Sequence, residues 1–272
     1  MSKVYLVGTP IGNLGDITVR ALEILRSVDY IACEDTRHSS ILLRHYDIAK
    51  PTFSYHKFNE RSAADKIISL VHDYKSVAVI SDAGMPSISD PGFVLVDELV
   101  RQGIDYEVIP GASAVVTALV GSGLDTAGFV FGGFLPDQKT ERVNLLQKLA
   151  GAEVTMIFYS ADHDLSKDLA DCARVFGHRR VVVANDLTKK FETFYRGYLD
   201  ELTIADARGE FVILIEGKQA ASALNDLTIN EHIEHYISAG VSRMEALKLV
   251  AKDRGVSKSV IYAEAESAKA GK

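Results

Sequence analysis

Three stretches of this chain set glycine, proline and charged residues directly after short apolar runs. They are Gly8-Thr-Pro-Ile-Gly-Asn-Leu14, Glu34-Asp-Thr-Arg-His38 and Ser81-Asp-Ala-Gly-Met-Pro-Ser-Ile-Ser-Asp-Pro-Gly92. If the apolar runs are strands of an open α/β sheet, these are the loops at its carboxyl edge, where ligands bind. The second stretch packs Glu34, Asp35, Arg37 and His38 into five residues, a set suited to substrate binding or proton abstraction. The competing reading is a solvated ion-pair cluster at a helix start. In the third, Gly84 and Gly92 let backbone approach a ligand, while Pro86 and Pro91 stiffen the path. A rigid loop longer than an ordinary connection points to function; the alternative is a structural loop with Asp82 and Asp90 as caps. The first stretch is no G-x-G-x-x-G, and Pro10 lacks a phosphate-binding N–H, so it reads as a shaped turn rather than a phosphate cradle. His56 and Asn59 lie in Tyr55-His-Lys-Phe-Asn-Glu60 after the next short strand; a lone histidine is more often structural. Phe158-Tyr159, Leu187-Thr-Lys-Lys-Phe-Glu192 and Glu216-Gly217 end later strands. They read as a second set of strand-end residues, or as plain core and caps.

The elements that must position these loops follow from apolar periodicity. Val4–Val7, Tyr30–Cys33, Val77–Ile80 and Tyr106–Ile109 read as buried strands. Helical spacing marks a helix capped by Asp16 and running through Ser27, then Asn59–Tyr74 and Phe93–Arg101. A second unit begins after Gly123, with strands Phe129–Phe134, Val154–Tyr159 and Val181–Ala184 and helices Lys139–Ala150 and Asp162–Phe176. Phe194–Tyr198 and Phe211–Ile215 read as antiparallel additions, because no crossover helix precedes them. A helix over Ala112–Val120 links the units. From Thr228 the pattern becomes helix, Gly240 turn, helix Arg243–Lys252, Gly255 turn, helix Lys258–Glu266, a spacing that resembles a helix-turn-helix but also suits a small helical cap or dimer element. The expected division is an N-terminal α/β domain over 1–115, a second over 116–218 and a helical tail over 225–272. Ala268–Lys272 reads as unstructured.

The 272 residues, 47% hydrophobic and 25% charged, suit a soluble protein with sizeable cores. Cys33 and Cys172 are too few for a disulfide framework or a zinc site, and no His/Cys spacing suggests a metal. The apolar run at the start is too short for a signal-peptide core or a membrane span, which points to the cytoplasm. The net charge of −7 does not by itself suggest a nucleic-acid substrate. Its distribution is uneven: residues 241–272 carry 7 Lys/Arg against 4 Asp/Glu, and residues 1–240 carry 23 against 33.

Nine ordered stretches carry a family resemblance. They are Gly8–Asp16, Cys33–His38, Tyr55-His56 with Asn59-Glu60, Ser81–Gly84 with Ile88–Gly92, Pro110-Gly111 with Ser113-Ala114, Gly133–Pro136, Phe158-Tyr159 with His163, Leu187–Glu192, and Glu216-Gly217. Together they resemble the tetrapyrrole-methylase superfamily, in its branch of ribosomal small-subunit RNA cytidine 2′-O-methyltransferases (RNA methyltransferase I). The resemblance implies a class III methyltransferase fold: two α/β domains with a cofactor cleft between them, a short helical C-terminal segment, and a homodimer. It implies S-adenosyl-L-methionine as cofactor, held by Ser81, Asp82, Ala83, Gly84, Met85, Ile88, Ser113, Ala114, Phe158, Tyr159, Leu187, Glu216 and Gly217. Thr9, Pro10, Asn13, Thr36, Arg37, Asn59 and Asp90 would border the substrate, 16S ribosomal RNA or the small ribosomal subunit.

Methyl transfer to a 2′-hydroxyl needs in-line positioning and a group that takes the proton or steadies the developing alkoxide. Glu34 and Asp35 are candidates as base or hydroxyl-orienting groups, Lys189 as alkoxide stabiliser and His56 as a secondary base. The chain departs from the family pattern at Met85 (usually Thr), Ala112 (usually Pro), Ser160-Ala-Asp-His-Asp164 (usually Glu-Ser-Pro-His-Arg) and Asn185-Asp186 (usually Arg-Glu). The change at 160–164 reads as a charge network replaced as a unit. Fold alone does not fix substrate. A methylase of a tetrapyrrole or other small molecule is therefore one rival, and a non-enzymatic nucleic-acid-binding protein using the tail is another.

Overall fold

The computed structural model describes residues 3–218 and 223–270. Contacts divide the chain into two compact units, residues 1–120 with 186–193, and residues 121–185 with 194–272.

In the first unit, β1 (Val4–Val7), β2 (Tyr30–Cys33), β3 (Thr52–Ser54), β4 (Val77–Ile80) and β5 (Tyr106–Ile109) form one sheet in the order β3-β2-β4-β1-β5. All its pairings are parallel, with Val4 beside Val77 and Tyr106, and Tyr30 beside Val77. The central strand β4 is buried at every residue, as its unbroken Val-Ala-Val-Ile requires. Helices α1 (Val19–Ser27), α2 (Thr36–His45), α3 (Glu60–His72) and α4 (Phe93–Gln102) make the crossovers, and α5 (Ala114–Ser122) follows the last strand. One core gathers Leu6, Ala32, Ile67, Val79, Leu95 and Leu99 around α3 and α4. A second gathers Val7, Leu25, Ile31, Leu43 and Ile109 around α1 and α2. The sheet thus has a buried cluster on each face. Helix α1 begins later than Asp16: Thr18 caps it, its hydroxyl accepting from Ala21 N at 3.1 Å, while Asn13 caps a separate 3-10 turn over Leu14–Asp16. The boundary between the units falls inside α5, and 186–193 groups with the first unit.

The second unit holds β6 (Phe129–Phe134), β7 (Thr155–Ala161), β8 (Arg180–Asn185), β9 (Thr193–Tyr198) and β10 (Glu210–Ile215) in the order β6-β7-β10-β8-β9. β6 and β7 run parallel, while β10 inserts antiparallel between β7 and β8. Helices α6 (Lys139–Leu149) and α7 (Leu165–Phe176) cover a core of Leu146, Met156, Phe158, Cys172, Phe211 and Ile213. Below α6 lies a buried ion pair. Arg142 is 5% exposed, its Nε donates to Asp171 at 2.8 Å, and its Nη1 donates to the carbonyls of Pro136 and Asp137.

The tail forms α8 (Ile229–Ser238), α9 (Arg243–Arg254) and α10 (Lys258–Ala270) around Ile233, Leu247, Val250 and Ile261. Thr228 and Glu231 make a capping box on α8, and left-handed Gly255 ends α9. The buried His232 bridges Asp253 and Arg254, and Asp253 also accepts from the Tyr236 hydroxyl. Helix α10 extends beyond Glu266 to Ala270, through part of the segment read as unstructured; Gly271 and Lys272 lie outside the described residues.

Candidate active site

The first unit's loops converge because their backbones bind one another. Thr9 N donates to Gly84 O at 2.8 Å, and Gly84 N returns a bond to Thr9 O at 3.2 Å. The buried Thr9 hydroxyl donates to the carbonyls of Ser81 and Gly84. Gly8 and Gly111 meet backbone to backbone: a Cβ on Gly8 would stand 2.7 Å from Gly111 Cα and 2.7 Å from the Met85 sulfur. Met85, a departure from the family pattern, therefore packs its thioether over this glycine contact. Pro10 is buried beside Thr9. Thus the β1, β4 and β5 loops form one block, with Ser113 and Ala114 starting α5 at its side.

The β2 loop joins the block through carboxylates. Asp82 Oδ1 accepts Asp35 N at 3.2 Å, and the Glu34 carboxylate accepts the N–H of Asp82. Glu34, Asp82 and Asp90 stand near enough to repel one another. Burial raises the Glu34 carboxyl first, and the charge of Asp82 adds to that. Asp90 is pushed up to about 6 by burial, reinforced by the neighbouring charges of Glu34 and Asp82 and partly offset by a hydrogen bond to Ser81.

Asp35 has a different environment. It caps α2, accepting Arg37 N at 2.8 Å, and holds the Arg37 guanidinium through Nε at 3.2 Å and Nη2 at 2.9 Å. These bonds lower its carboxyl to about 2. A carboxylate so occupied has little basicity left. Thr36 opens α2, and Arg37 is mostly in solvent while paired to Asp35.

The β3 loop is tied in by Glu60, a residue whose role the sequence did not disclose. Its Oε1 accepts Gly92 N at 2.8 Å and the Tyr55 hydroxyl at 3.4 Å. Tyr55 is buried, which raises its phenol together with the charge of Glu60. Gly92 has φ of 150°, and a side chain there would collide with Ser87. Ser87 and Ser89, at φ 72° and 63°, hold left-handed conformations either side of the half-exposed Ile88. Glu60 thus anchors the strained turn that carries Asp90. Asn59 Oδ1 accepts His56 N at 2.8 Å and its Nδ2 donates to Ser54 O, while His56 Nδ1 is buried without a hydrogen-bond partner.

Residues 186–193 add the cation. Leu187 is buried, and the Gly12 turn packs against Leu187 O, Thr188 and the Lys189 stem. Lys189 Nζ donates to Asp186 Oδ1 at 2.8 Å, and Asn13 on the same β1 loop accepts Gly15 N. Asp186 and Thr188 are also left-handed, so a second strained turn presents this lysine.

The remaining site candidates lie in the second unit. Phe158 is fully buried; its ring lies where a Cβ on Gly132 would stand, so it serves the core. Tyr159 sets its edge against Phe131 and Phe134. Glu216 pairs with Arg180 at 3.6 Å, and any side chain on Gly217 would collide with the Glu153 carbonyl.

Residues 3–203 match the family of tetrapyrrole (corrin/porphyrin) methylases. The chain belongs to this family. Among its relatives are proteins named ribosomal RNA small subunit methyltransferase I. The one from Halalkalibacterium halodurans is 43% identical over 268 residues, 95% of this chain and 93% of that protein. The one from Mycoplasmopsis pulmonis is 51% identical over 224 residues, 81% of this chain and 100% of that protein. A crystal structure of uroporphyrin-III C-methyl transferase from Thermus thermophilus, complexed with S-adenyl homocysteine, shares the fold. Its TM-score is 0.56 at 18% identity, covering 78% of this chain and 97% of that one.

The family departures of this tetrapyrrole methylase now have physical partners. Ser160 donates to Asp168 at 2.8 Å, inside the buried Arg142–Asp171 cluster. His163 pairs with Asp162, and Lys167 with Asp164 at 2.6 Å. These ion pairs link residues 162–167 on the surface beside that buried cluster. Asn185 donates to Arg208 O, and Asp186 holds Lys189.

Proposed function

We propose that this chain transfers a methyl group from S-adenosyl-L-methionine to the ribose 2′-hydroxyl of a cytidine in 16S ribosomal RNA. The observation that carries the reading is the 43% identity to a ribosomal RNA small subunit methyltransferase I across 93% of that protein's length. The loop block supports it. Gly8 and Gly111 let the β1 and β5 loops meet backbone to backbone, which draws these strand-end loops into one block. The carboxylates of Glu34, Asp82 and Asp90 complement a cationic sulfonium. In the first unit, Ser81–Met85, Ile88, Ser113, Ala114 and Leu187 would hold the cofactor, which supplies an electrophilic methyl group when bound.

The chain's own residues supply the rest. Asp90, pushed up to about 6 by burial first and by the charge of Glu34 second, is matched to taking a hydroxyl proton near neutral pH. Lys189 steadies the developing oxyanion, with Asp186 fixing its position. Thr9, Pro10, Asn13, Thr36, Arg37 and Asn59 border the ribose and its neighbours. The cytoplasm is the compartment that fits this substrate. Among the described residues, no helix is long and apolar enough to cross a membrane. A homodimer is part of the same reading: Val108 on edge strand β5 and Val116 and Val120 on α5 leave apolar surface exposed at one side of the first unit.

The test is incubation with radiolabelled S-adenosylmethionine and small ribosomal subunits from a strain lacking its own enzyme, followed by nucleoside analysis. Label in 2′-O-methylcytidine is the expected result. Cofactor binding with no labelled RNA would move the substrate elsewhere.

A further inference from the structure

The first unit contains four phenylalanines, and three of them lie largely in water: Phe58 is 95% exposed, Phe93 75% and Phe191 76%. All three belong to the carboxyl edge of the parallel sheet. Phe58 is in the β3–α3 loop beside His56 and Asn59. Phe93 opens α4 directly after Gly92, and the Glu60–Gly92 bond joins these two loops. Phe191 is on the 186–193 segment, whose Leu187–Lys189 rest on Gly12 of the β1 loop. The fourth, Phe53, lies under the Lys66 ammonium, 4.0 Å from its ring centre. A phenyl ring has no polar atom to satisfy in water, so three exposed rings around one rim gain nothing from folding. Tyr74, also exposed, follows the far end of α3 and keeps its hydroxyl in solvent.

Cations accompany two of the three rings. Lys57 and Arg61 flank Phe58 and are exposed. The Lys190 ammonium stands 5.4 Å from the centre of the Phe191 ring. Separated aromatic faces interleaved with cations suit unpaired nucleic acid, whose bases stack on the rings while phosphates meet the charges. Protein interfaces instead deplete lysine and gather apolar residues into continuous patches. The valines of β5 and α5 are of that second kind.

Resting on the methyltransferase reading above, we propose that Phe58, Phe93 and Phe191 are stacking platforms that hold unpaired bases of a single-stranded RNA segment around the reacting nucleotide. Binding unstacked bases at the rim leaves the central carboxylates to the target ribose. It also explains how an acidic protein grips RNA: stacking supplies sequence-tolerant affinity that a net charge of −7 does not.

The experiment uses full-length protein and a single-stranded RNA oligomer carrying 2-aminopurine, whose fluorescence reports stacking. Each phenylalanine is changed to Ala, Leu and Trp, with thermal melts to show that the fold is retained. The expected result is a roughly 5- to 150-fold loss of oligomer affinity for each Ala variant. Leu should lose about as much as Ala, Trp should stay within a few-fold of the original chain, and S-adenosylmethionine affinity should not change. The KM for small subunits should rise in parallel while kcat is nearly kept. Leu variants that bind as well as Phe, unchanged affinity in all Ala variants, or an Ala variant that alters the sedimentation mass would overturn the proposal, the last by assigning the rings to a second copy. Failure of the original chain to methylate any subunit RNA would instead sink the underlying reading; the fluorescence arm would still decide whether these rings stack bases.

Discussion

Replacing Asp90 with asparagine should make the protein more stable and far less active. The side chain keeps its shape and loses only the charge that burial and Glu34 oppose. The carboxyl rises from 3.8 to about 6 on folding, and each unit corresponds to about 1.4 kcal/mol. Holding Asp90 ionised therefore costs the folded state at most about 3 kcal/mol, and on the order of 1–2 kcal/mol once relaxation and water are allowed for. The sign follows from proton binding. Between pH 3.8 and about 6 the folded chain retains a proton that the unfolded chain has released, so Asp90's contribution to stability declines as pH rises through that window. Above it the full penalty applies. Urea melts of Asp90→Asn should match the original at pH 4 and exceed it at pH 8. In single-turnover methylation, loss of a general base should cost about 10²- to 10⁴-fold, or roughly 3–5 kcal/mol of barrier. The unaltered enzyme should lose rate about tenfold per pH unit below 6. An Asp90→Asn protein that is equally active, or that is less stable at pH 8 than at pH 4 relative to the original, would refute this account of the site.

Glu34→Gln should move the pH midpoint of methylation to lower values, because it removes the first like charge acting on Asp90; a pH–rate profile checks it. Asp35→Asn should cost only a few-fold in rate, since that carboxylate is occupied by Arg37; a loss above a hundredfold would restore it as base. Glu60→Ala should destabilise by about 1–3 kcal/mol and lower kcat, leaving Gly92 N–H and the Tyr55 hydroxyl without their acceptor, while Glu60→Gln retains most of both. In the second unit, Arg142→Ala should cost about 2–4 kcal/mol in urea denaturation, because the buried Asp168 would lose its nearest cation while Asp171 keeps only the part-exposed Arg174 at 2.9 Å.

The strands were legible because buried parallel strands are written as unbroken apolar runs: Val4–Val7 and Val77–Ile80 have the expected bounds. Strand order was not, since β4 and β1 occupy the middle through contacts distant in sequence. Helix α1 shows the limit of cap reading. Asp16 and Thr18 are both good caps, and a 3-10 turn held by Asn13 absorbs the first. The site's loops were found from glycine, proline and charge, but the roles within them depend on burial. Asp35 and Asp90 are the same residue type, and only the structure separates one held at about 2 from one pushed up to about 6. Glu60 stood inside a motif with no sign that its carboxylate reaches the Gly92 backbone. Exposed Phe58 and Phe191 are indistinguishable in sequence from core residues.

Residues 186–193 belong with the first unit, although the strands on either side of them belong with the second. During synthesis the five strands of the first sheet have all been made by residue 109, yet the segment that seats Lys189 against the Gly12 turn is still untranslated. At roughly 5–20 residues per second, several seconds or more separate the two events. The nascent first unit therefore waits with its β1 loop uncovered, its three-loop block already able to form and its lysine still absent. The last-arriving strap, rather than the sheet, sets the moment at which the site becomes complete.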